Sequence, residues 1–366
     1  MKILSVVGAR PQFIKAAVIS RLIRDKYSKD FREILVHTGQ HYDSNMSDVF
    51  FDEMDIPAPT YNLEVNERSH GAMTGKMLIK IEELLLEEKP DMVLVYGDTN
   101  STLAGALAAS KLHIPVAHVE AGLRSFWKRM PEEQNRILTD HLSDFLFCSS
   151  NISVQNLQNE RIVNGVFEVG DIMLDSFNYY NELLPTKELS FSNLEGEAIK
   201  PEEFMRLNNF RLLTLHRAEN TGSKSILQNI FDNLEKINTP IVFPIHPRTA
   251  NIINEFKINV PKIIFCIKPV GYFEMLYFLK NCSSVITDSG GLQKEAYFAK
   301  KPCYTLRNQT EWVETLNGNW NTLCNPESNF AHLMLNNNTL GENMDYYGNG
   351  QAGFKILEFL NNKLVS

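Results

Sequence analysis

Residues 90–122, PDMVLVYGDTNSTLAGALAASKLHIPVAHVEAG, contain an apolar strand pattern, a helical stretch and a second apolar strand pattern. Continuous apolar strands separated by helices of about 10–15 residues are typical of a parallel sheet covered on both faces. The same alternation runs through the first half of the chain, from KILSVVG near its start to FLFCSS before residue 151. The first half therefore predicts an α/β domain.

The second half repeats this pattern after a polar connection that follows VFEVGDIMLDS. Strand patterns return in FRLLTLHRAEN, PIVFPIHPRT, KIIFCIKPV and SSVITDSGG, with helical stretches between them. A chain of 366 residues exceeds the roughly 250–300 residues that one hydrophobic core usually serves. We predict two Rossmann-like parallel-sheet domains, residues 1–172 and 173–350, with a terminal helix in residues 351–366. The carboxyl ends of their strands are expected to face one central cleft.

Composition and charge exclude several function classes. The formal net charge of −8 provides no basic surface of the kind that binds nucleic acid. The five cysteines are odd in number and include no CxxC pair, which predicts reduced thiols and no zinc site. The sequence has neither a signal-peptide pattern nor an apolar stretch of membrane-spanning length. We therefore expect a cytoplasmic protein that does not contact a membrane.

Polar residues follow the first strand patterns at the points where these patterns end. VVGARPQFIK places Gly8 and Arg10 after the first strand and Lys15 in the next helix, and a glycine turn before a helix is a general anion site. An ordinary turn between a strand and a helix, with no ligand, explains this stretch equally well. GDTNST places Asp98 after another strand, where it is either a ligand contact or the N-cap of the next helix.

The stretch from residue 118 to residue 136, HVEAGLRSFWKRMPEEQNR, carries opposed charges just after a strand pattern. Ligands of open α/β sheets bind at the carboxyl ends of the strands, which favours a functional role for Glu120. A solvated loop with surface ion pairs is the alternative. Glu132 follows in the next helical pattern, and Arg136 lies one helical turn beyond it.

The second half carries two His–Arg motifs and a glycine turn at equivalent positions. TLHRAEN contains His216 and FPIHPRT contains His246, and histidine and arginine side chains both donate hydrogen bonds to phosphate. TDSGGLQKEA places small residues at the start of a helix, which suits a diphosphate. Glu295 comes shortly after them and could accept hydrogen bonds from sugar hydroxyls. The small residues of this turn are Ser289, Gly290 and Gly291.

Taken together, nine short motifs in one order resemble the non-hydrolysing UDP-N-acetylglucosamine 2-epimerases. The motifs span nearly the whole chain and read GARPQFIK, GDTNST, HVEAGLR, PEEQNR, VGD, LHRAEN, PIHP, TDSGGLQKEA and YGNGQA. The resemblance implies the two-domain GT-B fold of nucleotide-sugar glycosyltransferases, with the last helix packed back on the first domain. It also implies a homodimer that uses no metal, nicotinamide or other cofactor.

The resemblance also implies roles for individual residues. Asp98, Glu120 and Glu132 would be the carboxylates around the sugar of a UDP-sugar, with Arg136 orienting Glu132. Lys15 and His216 would lie nearby and take part in catalysis. The residues implied to hold the uridine diphosphate are Arg10, His246, Ser289, Gly290, Gly291 and Glu295.

The implied reaction inverts C2 of the sugar by elimination and re-addition. A base takes the C2 proton while UDP leaves C1, and UDP then re-adds as C2 is protonated from the other face. Such a reaction needs general acids and bases together with stabilisation of the departing anion. A GT-B glycosyltransferase is the main alternative, followed by a glycoside hydrolase and a UDP-sugar-binding module without catalytic activity.

Departures from the usual motifs indicate a branch within the family. GARPQ, RMPEE and TEWVE resemble the enzymes that act on UDP-2,3-diacetamido-2,3-dideoxy-glucuronic acid for bacterial surface polysaccharides. Lys128 and Arg129 lie in the acid-bearing loop, where they could meet a C6 carboxylate. The GQHYD stretch, Gly39–Asp43, differs from the form associated with allosteric control by a second UDP-sugar, so we do not expect that control here.

Overall fold

The structure, a computed structural model, describes residues 1–39, 55, 57–336 and 339–364. The chain forms two compact units, Met1–Asn178 with Asp345–Ser366, and Tyr179–Met344. The boundaries expected from the sequence, after residues 172 and 350, stay predictions. Apart from Gly39, the stretch GQHYD lies outside the described residues.

The strands described in the first unit form one seven-stranded parallel sheet in the order β3-β2-β1-β4-β5-β6-β7. Strand β1, the third in this order, therefore has β2 on one side and β4 on the other. This reversal of strand order is the switch point at which open α/β sheets bind ligands. The strands are β1 (Lys2–Val7), β2 (Arg32–His37), β3 (Tyr61–Asn62), β4 (Met92–Tyr96), β5 (Val116–Ala121), β6 (Phe145–Cys148) and β7 (Val166–Glu168).

Helices connect these strands and cover the sheet. Their buried faces pack against the apolar strands, as in the cluster formed by β1, β2 and β4 with α2 and α3. Pro11 suits the start of the first helix because the missing N–H would have no intrahelical partner there. The helices are α1 (Arg10–Lys26), α2 (His70–Glu88), α3 (Asn100–Lys111), α4 (Pro131–Leu142), α5 (Asn151–Asn159) and α6 (Ile172–Leu183).

The main sheet of the second unit is also parallel and also reverses its strand order once. After a short antiparallel pair, β8 (Phe191–Ser192) and β9 (Ala198–Ile199), its main sheet is parallel in the order β12-β11-β10-β13-β14-β15. Its switch point lies between β10 and β13. The strands of this sheet are β10 (Arg211–Thr214), β11 (Ile241–Pro244), β12 (Ile264–Ile267), β13 (Ser284–Thr287), β14 (Cys303–Thr305) and β15 (Asn321–Leu323).

The helices of the second unit lie between these strands, and buried leucine, isoleucine and phenylalanine side chains fill the core beneath them. The helices are α7 (Pro201–Met205), α8 (Ala218–Thr221), α9 (Lys224–Glu235), α10 (Pro247–Phe256), α11 (Tyr272–Asn281), α12 (Gly290–Phe298) and α13 (Ala331–Leu335). Two parallel-sheet units with Rossmann strand order confirm the predicted α/β fold class.

The last helix, α14 (Ala352–Leu364), packs against α1 in the first unit. The carboxylate of Asp175 accepts hydrogen bonds from the Ala352 and Gly353 amides at 3.0 and 2.9 Å, at the start of α14. Burial raises the pKa of Asp175 to about 6 despite these bonds. Just before the helix, the Tyr347 carbonyl accepts from the Asp171 amide. The motif YGNGQA therefore holds α14 in place.

Two further expectations concern thiols and membranes. The structure records all five cysteines as free thiols, four of them buried. Among the described residues, none of the helices combines the length and the apolar character needed to cross a membrane.

Candidate active site

A buried ion pair joins the first helix to the end of β5. The Lys15 ammonium contacts the Glu120 carboxylate, and both side chains are almost completely buried. Glu120 has a φ of +73°, and the pairing of β5 with β6 shifts register between Val119 and Ala121. Positive φ is costly outside glycine, and a bulge of this kind changes the direction of the side chain that it carries. Here it directs the carboxylate to Lys15.

Gly97 brings the end of β4 against this pair. It has a φ of +62°, and an added Cβ would lie 3.1 Å from Lys15 Nζ and 3.3 Å from Glu120 Oε2. Only glycine accommodates both the backbone conformation and this close approach. Asp98 is the next residue along the chain, so it lies directly after this close approach.

Arg136 connects Asp98 to the first turn of α4. Its Nε donates to Asp98 Oδ2 at 3.0 Å and its Nη1 donates to Glu133 Oε2 at 2.6 Å. The guanidinium is buried, which makes these charge-assisted bonds strong determinants of orientation. The N-cap of α3 is Thr99 and not Asp98. The cap interpretation of Asp98 is therefore wrong.

Glu132 and Glu133 lie side by side in the first turn of α4 but differ in their surroundings. The buried Glu133 carboxylate accepts from the Ser125 and Phe126 amides, both at 2.8 Å, and from Arg136. Glu132 is half-buried, and within the described ranges no side-chain bond to it is recorded. We expected Arg136 to orient Glu132, whereas its recorded ion pairs are with Glu133 and Asp98. Glu133 thus fixes the loop.

Gln12 links the ends of β1 and β4 and was missed in the sequence analysis. Its Oε1 accepts from the Gly8 and Ala9 amides at 2.8 and 3.0 Å. Its Nε2 donates to the Tyr96 carbonyl at 2.8 Å and to Thr102 Oγ1 at 2.9 Å. Only an amide side chain offers both accepting and donating ends here. Arg10, at the start of α1, has a side chain that lies outside the description.

His118 and Asp140 form a second buried pair beneath these turns. His118 Nδ1 lies 2.7 Å from Asp140 Oδ1, and His118 Nε2 lies 2.7 Å from the Gly97 carbonyl oxygen. Arg124 also donates to Asp140, at 2.6 Å. Burial alone would raise the pKa of Asp140, but the bonds and charges of His118 and Arg124 outweigh it and lower that pKa. His118 therefore anchors the turn that carries Asp98.

In the second unit, His216 follows β10 and contacts the carboxylate that follows β13. His216 Nδ1 lies 3.1 Å from Asp288 Oδ1, and the imidazole is 50% exposed while Asp288 is fully buried. Asp288 also accepts from the backbone amides of His216 and Arg217. The TDSGG motif contains this aspartate, whose contact with His216, 72 residues away, is not apparent from the sequence.

The glycine turn begins α12 next to Asp288. Ser289 is the N-cap, and its hydroxyl accepts from the Leu292 amide at 3.5 Å. Among the described residues, no acceptor is recorded for the amides of Gly290 and Gly291, which lie in the first turn of the helix. An added Cβ on Gly290 would lie 2.6 Å from Glu311 Oε1, whereas Gly291 has open space. The two amides can therefore donate to an anion.

His246 and Glu295 are the two remaining predicted site residues of the second unit. His246 is the N-cap of α10, and its Nδ1 accepts from the Arg248 amide at 3.2 Å. Glu295 is buried within α12. Burial, followed by the charges of His216 and Arg248, lowers the pKa of His246. His216 and His246 follow β10 and β11, which are neighbouring strands of the same sheet.

These features define an α/β protein with two Rossmann-like units, each with charged and hydrogen-bonding groups at the carboxyl ends of its central strands. A family model described as UDP-N-acetylglucosamine 2-epimerase matches residues 25–361. The chain therefore belongs to the UDP-N-acetylglucosamine 2-epimerase family, whose members are isomerases.

Two relatives and one solved structure illustrate the similarity. A UDP-N-acetylglucosamine 2-epimerase homolog of Methanococcus maripaludis is 50% identical, over 99% of this chain and 100% of the relative. The UDP-2,3-diacetamido-2,3-dideoxy-D-glucuronate 2-epimerase of Pseudomonas aeruginosa is 47% identical, over 98% and 99%. The Methanocaldococcus jannaschii UDP-GlcNAc 2-epimerase, solved with UDP-GlcNAc and UDP, is 40% identical with a TM-score of 0.85, covering 99% of this chain and 100% of that one.

Proposed function

We propose that this protein is a UDP-sugar 2-epimerase that inverts C2 by eliminating and re-adding UDP. Family membership supports the reaction, and one arrangement in the first unit carries the chemistry. Gly97 lies against the buried Lys15–Glu120 pair and leads directly to Asp98, so the two acids follow neighbouring parallel strands, β4 and β5, at the same edge of the sheet. Proton transfer at a carbon needs such positioned groups, and each typically contributes roughly 10²–10⁴-fold to the rate.

We assign the chemistry at C2 to Asp98, Glu120 and Glu132, supported by Lys15 and Arg136. Lys15 holds the Glu120 carboxylate and Arg136 holds that of Asp98, so each of these acids has a fixed orientation. Glu132 has no such recorded partner in the described part of the chain, which leaves its carboxylate available to the substrate. We assign His216, which Asp288 holds through Nδ1, to proton transfer as well.

We assign the uridine diphosphate to the start of α12 and its neighbours. The amides of Gly290 and Gly291 lie at the positive end of the helix dipole, which favours the developing charge on departing UDP. His246 contributes a donor to the same anion. The remaining assigned residues are Arg10, Ser289 and Glu295.

The preferred substrate is UDP-2,3-diacetamido-2,3-dideoxy-glucuronic acid, rather than UDP-N-acetylglucosamine. The relative of that name is 47% identical over nearly the whole chain. Lys128 and Arg129 are exposed in a loop that Glu133 anchors through the Ser125 and Phe126 amides. A C6 carboxylate would pair with one of these cations, whereas N-acetylglucosamine has no such group. Sites built for a charged group reject analogues that lack it.

A homodimer, a cytoplasmic location and activity without metal or other cofactor remain predictions from the family resemblance. The homodimer is tested by light scattering after gel filtration of the purified protein. A measured mass equal to that of a single chain would contradict it. If the activity needs no metal, a strong chelator should leave turnover unchanged.

The reaction class is tested by incubating the purified protein with one UDP-sugar and no acceptor. We expect ³¹P and proton NMR to show a second UDP-sugar that grows to a constant ratio with the first. Release of free UDP and sugar as the sole products would indicate hydrolysis. A requirement for an added acceptor would indicate a glycosyltransferase.

A further inference from the structure

The two histidines at the strand ends of the second unit have opposite hydrogen-bonding partners at the same ring atom. His216 Nδ1 faces the carboxylate of Asp288 at 3.1 Å, whereas His246 Nδ1 faces the Arg248 backbone amide at 3.2 Å. A carboxylate accepts hydrogen bonds and an amide N–H donates them. The two rings therefore carry their protons on different nitrogens.

Asp288 is held in its charged form. Its carboxylate accepts from the backbone amides of His216 and Arg217 at 3.0 and 2.9 Å and from the Asn220 side-chain amide at 3.2 Å. Burial alone would raise the pKa of Asp288, but the bond and charge of the His216 ring, with the backbone amides of Arg217 and His216, outweigh it and lower that pKa. An ionised carboxylate has no proton to give. Nδ1 of His216 must therefore be the donor.

His246 presents the reverse case. The Arg248 N–H points at Nδ1, so this atom must supply a lone pair and the ring proton must be on Nε2. Burial, with the charges of His216 and Arg248, lowers the pKa of His246, which favours the neutral ring at neutral pH. His246 thus offers a fixed Nε2–H donor, as an anionic ligand requires.

We propose that Asp288 is a positioning residue that locks the proton of His216 on Nδ1, so that His216 Nε2 faces the UDP-sugar with a tautomer opposite to that of His246. In either protonation state of the His216 ring, Nδ1 keeps its hydrogen and Nε2 is the atom left for the ligand. His246 donates to the diphosphate, while Nε2 of His216 exchanges a proton with the substrate. This role deepens the epimerase assignment and rests on it.

The wild-type protein tests the lock directly. Two-dimensional ¹H–¹⁵N NMR of the histidine side chains distinguishes a protonated ring nitrogen from an unprotonated one. His216→Gln and His246→Gln, each compared with the wild type, assign the two sets of signals. We expect His216 with a protonated Nδ1 and His246 with a protonated Nε2. A His216 ring that is protonated on Nε2 alone would overturn the proposal without any activity measurement.

Asp288→Asn then tests the catalytic consequence. The asparagine carbonyl can still accept from the backbone amides, but its NH₂ group now points at His216 Nδ1 and moves the ring proton to Nε2. We expect turnover to fall by roughly 10²-fold or more, because the same change in Ser–His–Asp enzymes costs turnover through the wrong tautomer. UDP affinity should change far less, since the Gly290 and Gly291 amides are untouched.

Asn220→Ser is the matched control. It removes a different donor to the same carboxylate and leaves the Oδ1–Nδ1 contact in place. We expect the wild-type tautomer and turnover within an order of magnitude of the wild type. A shifted tautomer with wild-type turnover in Asp288→Asn would overturn the proposed role. A wild-type chain that has the predicted tautomers but epimerises no UDP-sugar would instead contradict the proposed function.

Discussion

The protein contains two His–Asp pairs that are chemically alike and differ in what surrounds them. In the first unit, His118 is fully buried and its two ring nitrogens face Asp140 and the Gly97 carbonyl, each at 2.7 Å. In the second unit, His216 is half-exposed, and its recorded ring contact is with Asp288 through Nδ1. Both ring nitrogens of His118 thus have protein partners, whereas the half-exposed His216 ring is held through Nδ1.

This difference separates a histidine that holds the fold from one that can act on a ligand. A buried imidazole whose two nitrogens face Asp140 and a backbone carbonyl has no nitrogen left for a ligand. An exposed ring with one fixed nitrogen can change partners at the other. The same residue types thus support Asp98 through Gly97 in one unit and are proposed to contact substrate in the other.

The largest effect is expected for His216→Gln, which removes the ligand-facing ring. Turnover should fall by roughly 10²–10⁴-fold, since His216 is assigned to proton transfer. The free energy of unfolding should fall by roughly 1–3 kcal/mol, because the buried Asp288 carboxylate loses one of its hydrogen-bond donors. Steady-state kinetics and urea unfolding measure the two quantities. Near-normal turnover would place His216 with His118 as a structural residue.

Asp98→Asn and Glu120→Gln should lower turnover by a similar factor while preserving UDP affinity. Their carboxylates lie in the first unit, whereas the proposed UDP site lies at the start of α12 in the second. Isothermal titration with UDP and turnover assays on the same preparations separate binding from chemistry. A variant that loses UDP affinity and turnover in parallel would show that its residue belongs to binding.

Asp140→Ala should chiefly reduce stability. Removal of the carboxylate leaves His118 and Arg124 buried without their shared anion, and such loss costs about 3–5 kcal/mol. Urea unfolding followed by circular dichroism measures the loss. Asp25→Ala, which breaks an exposed pair with Arg24, is the matched control and should change stability by less than about 1 kcal/mol. Equal effects of the two changes would contradict the importance of the buried network.

Buried aspartates with opposite pKa shifts should respond oppositely to pH. Asp140 has a lowered pKa, so its stabilisation is present at neutral pH and fades as pH falls below its ordinary value of about 4. Asp175, with its pKa raised to about 6, stabilises the folded state at low pH and loses that contribution as pH rises through about 6. Melting temperatures from about pH 2 to pH 8 should show the deficit of Asp140→Asn relative to the wild type shrinking below about pH 4. Asp175→Asn should gain stability relative to the wild type between about pH 4 and pH 6.

The smallest effect is expected at the loop cations. Arg129→Ala should lower kcat/KM for UDP-2,3-diacetamido-2,3-dideoxy-glucuronic acid by about tenfold, as expected for one charged contact of about 1.4 kcal/mol at an exposed site. It should leave kcat/KM for UDP-N-acetylglucosamine nearly unchanged. An equal fall in kcat/KM on both substrates would show that Arg129 does not contact the C6 carboxylate. Lys128→Ala gives the parallel comparison for the neighbouring cation.

The sequence predicted the fold class and the strand ends that carry polar groups because both follow from local patterns. Apolar runs mark parallel strands, and residues after them reach the same edge of the sheet. The partners of those residues could not be predicted in this way. Glu133 and Glu132 are adjacent and chemically identical, and only packing decides which one is buried against Arg136.

Gln12 and Asp288 were missed for the same physical reason. Gln12 acts on backbone groups of Tyr96, which is 84 residues away, and Asp288 acts on His216, which is 72 residues away. The spacing of neither residue reveals these contacts, since they depend on how strands lie side by side. The i,i+3 spacing of Glu133 and Arg136 was the one local signal that could have been used.

The central claim, proton exchange at C2 of a UDP-sugar, is tested most directly by running the reaction in heavy water. The account predicts that the 2-epimer formed from a UDP-sugar carries deuterium at C2, as the loss of the C2 proton signal in NMR would show. A product epimer that retains the original C2 proton would contradict proton abstraction, and with it the roles assigned to Asp98, Glu120 and Glu132.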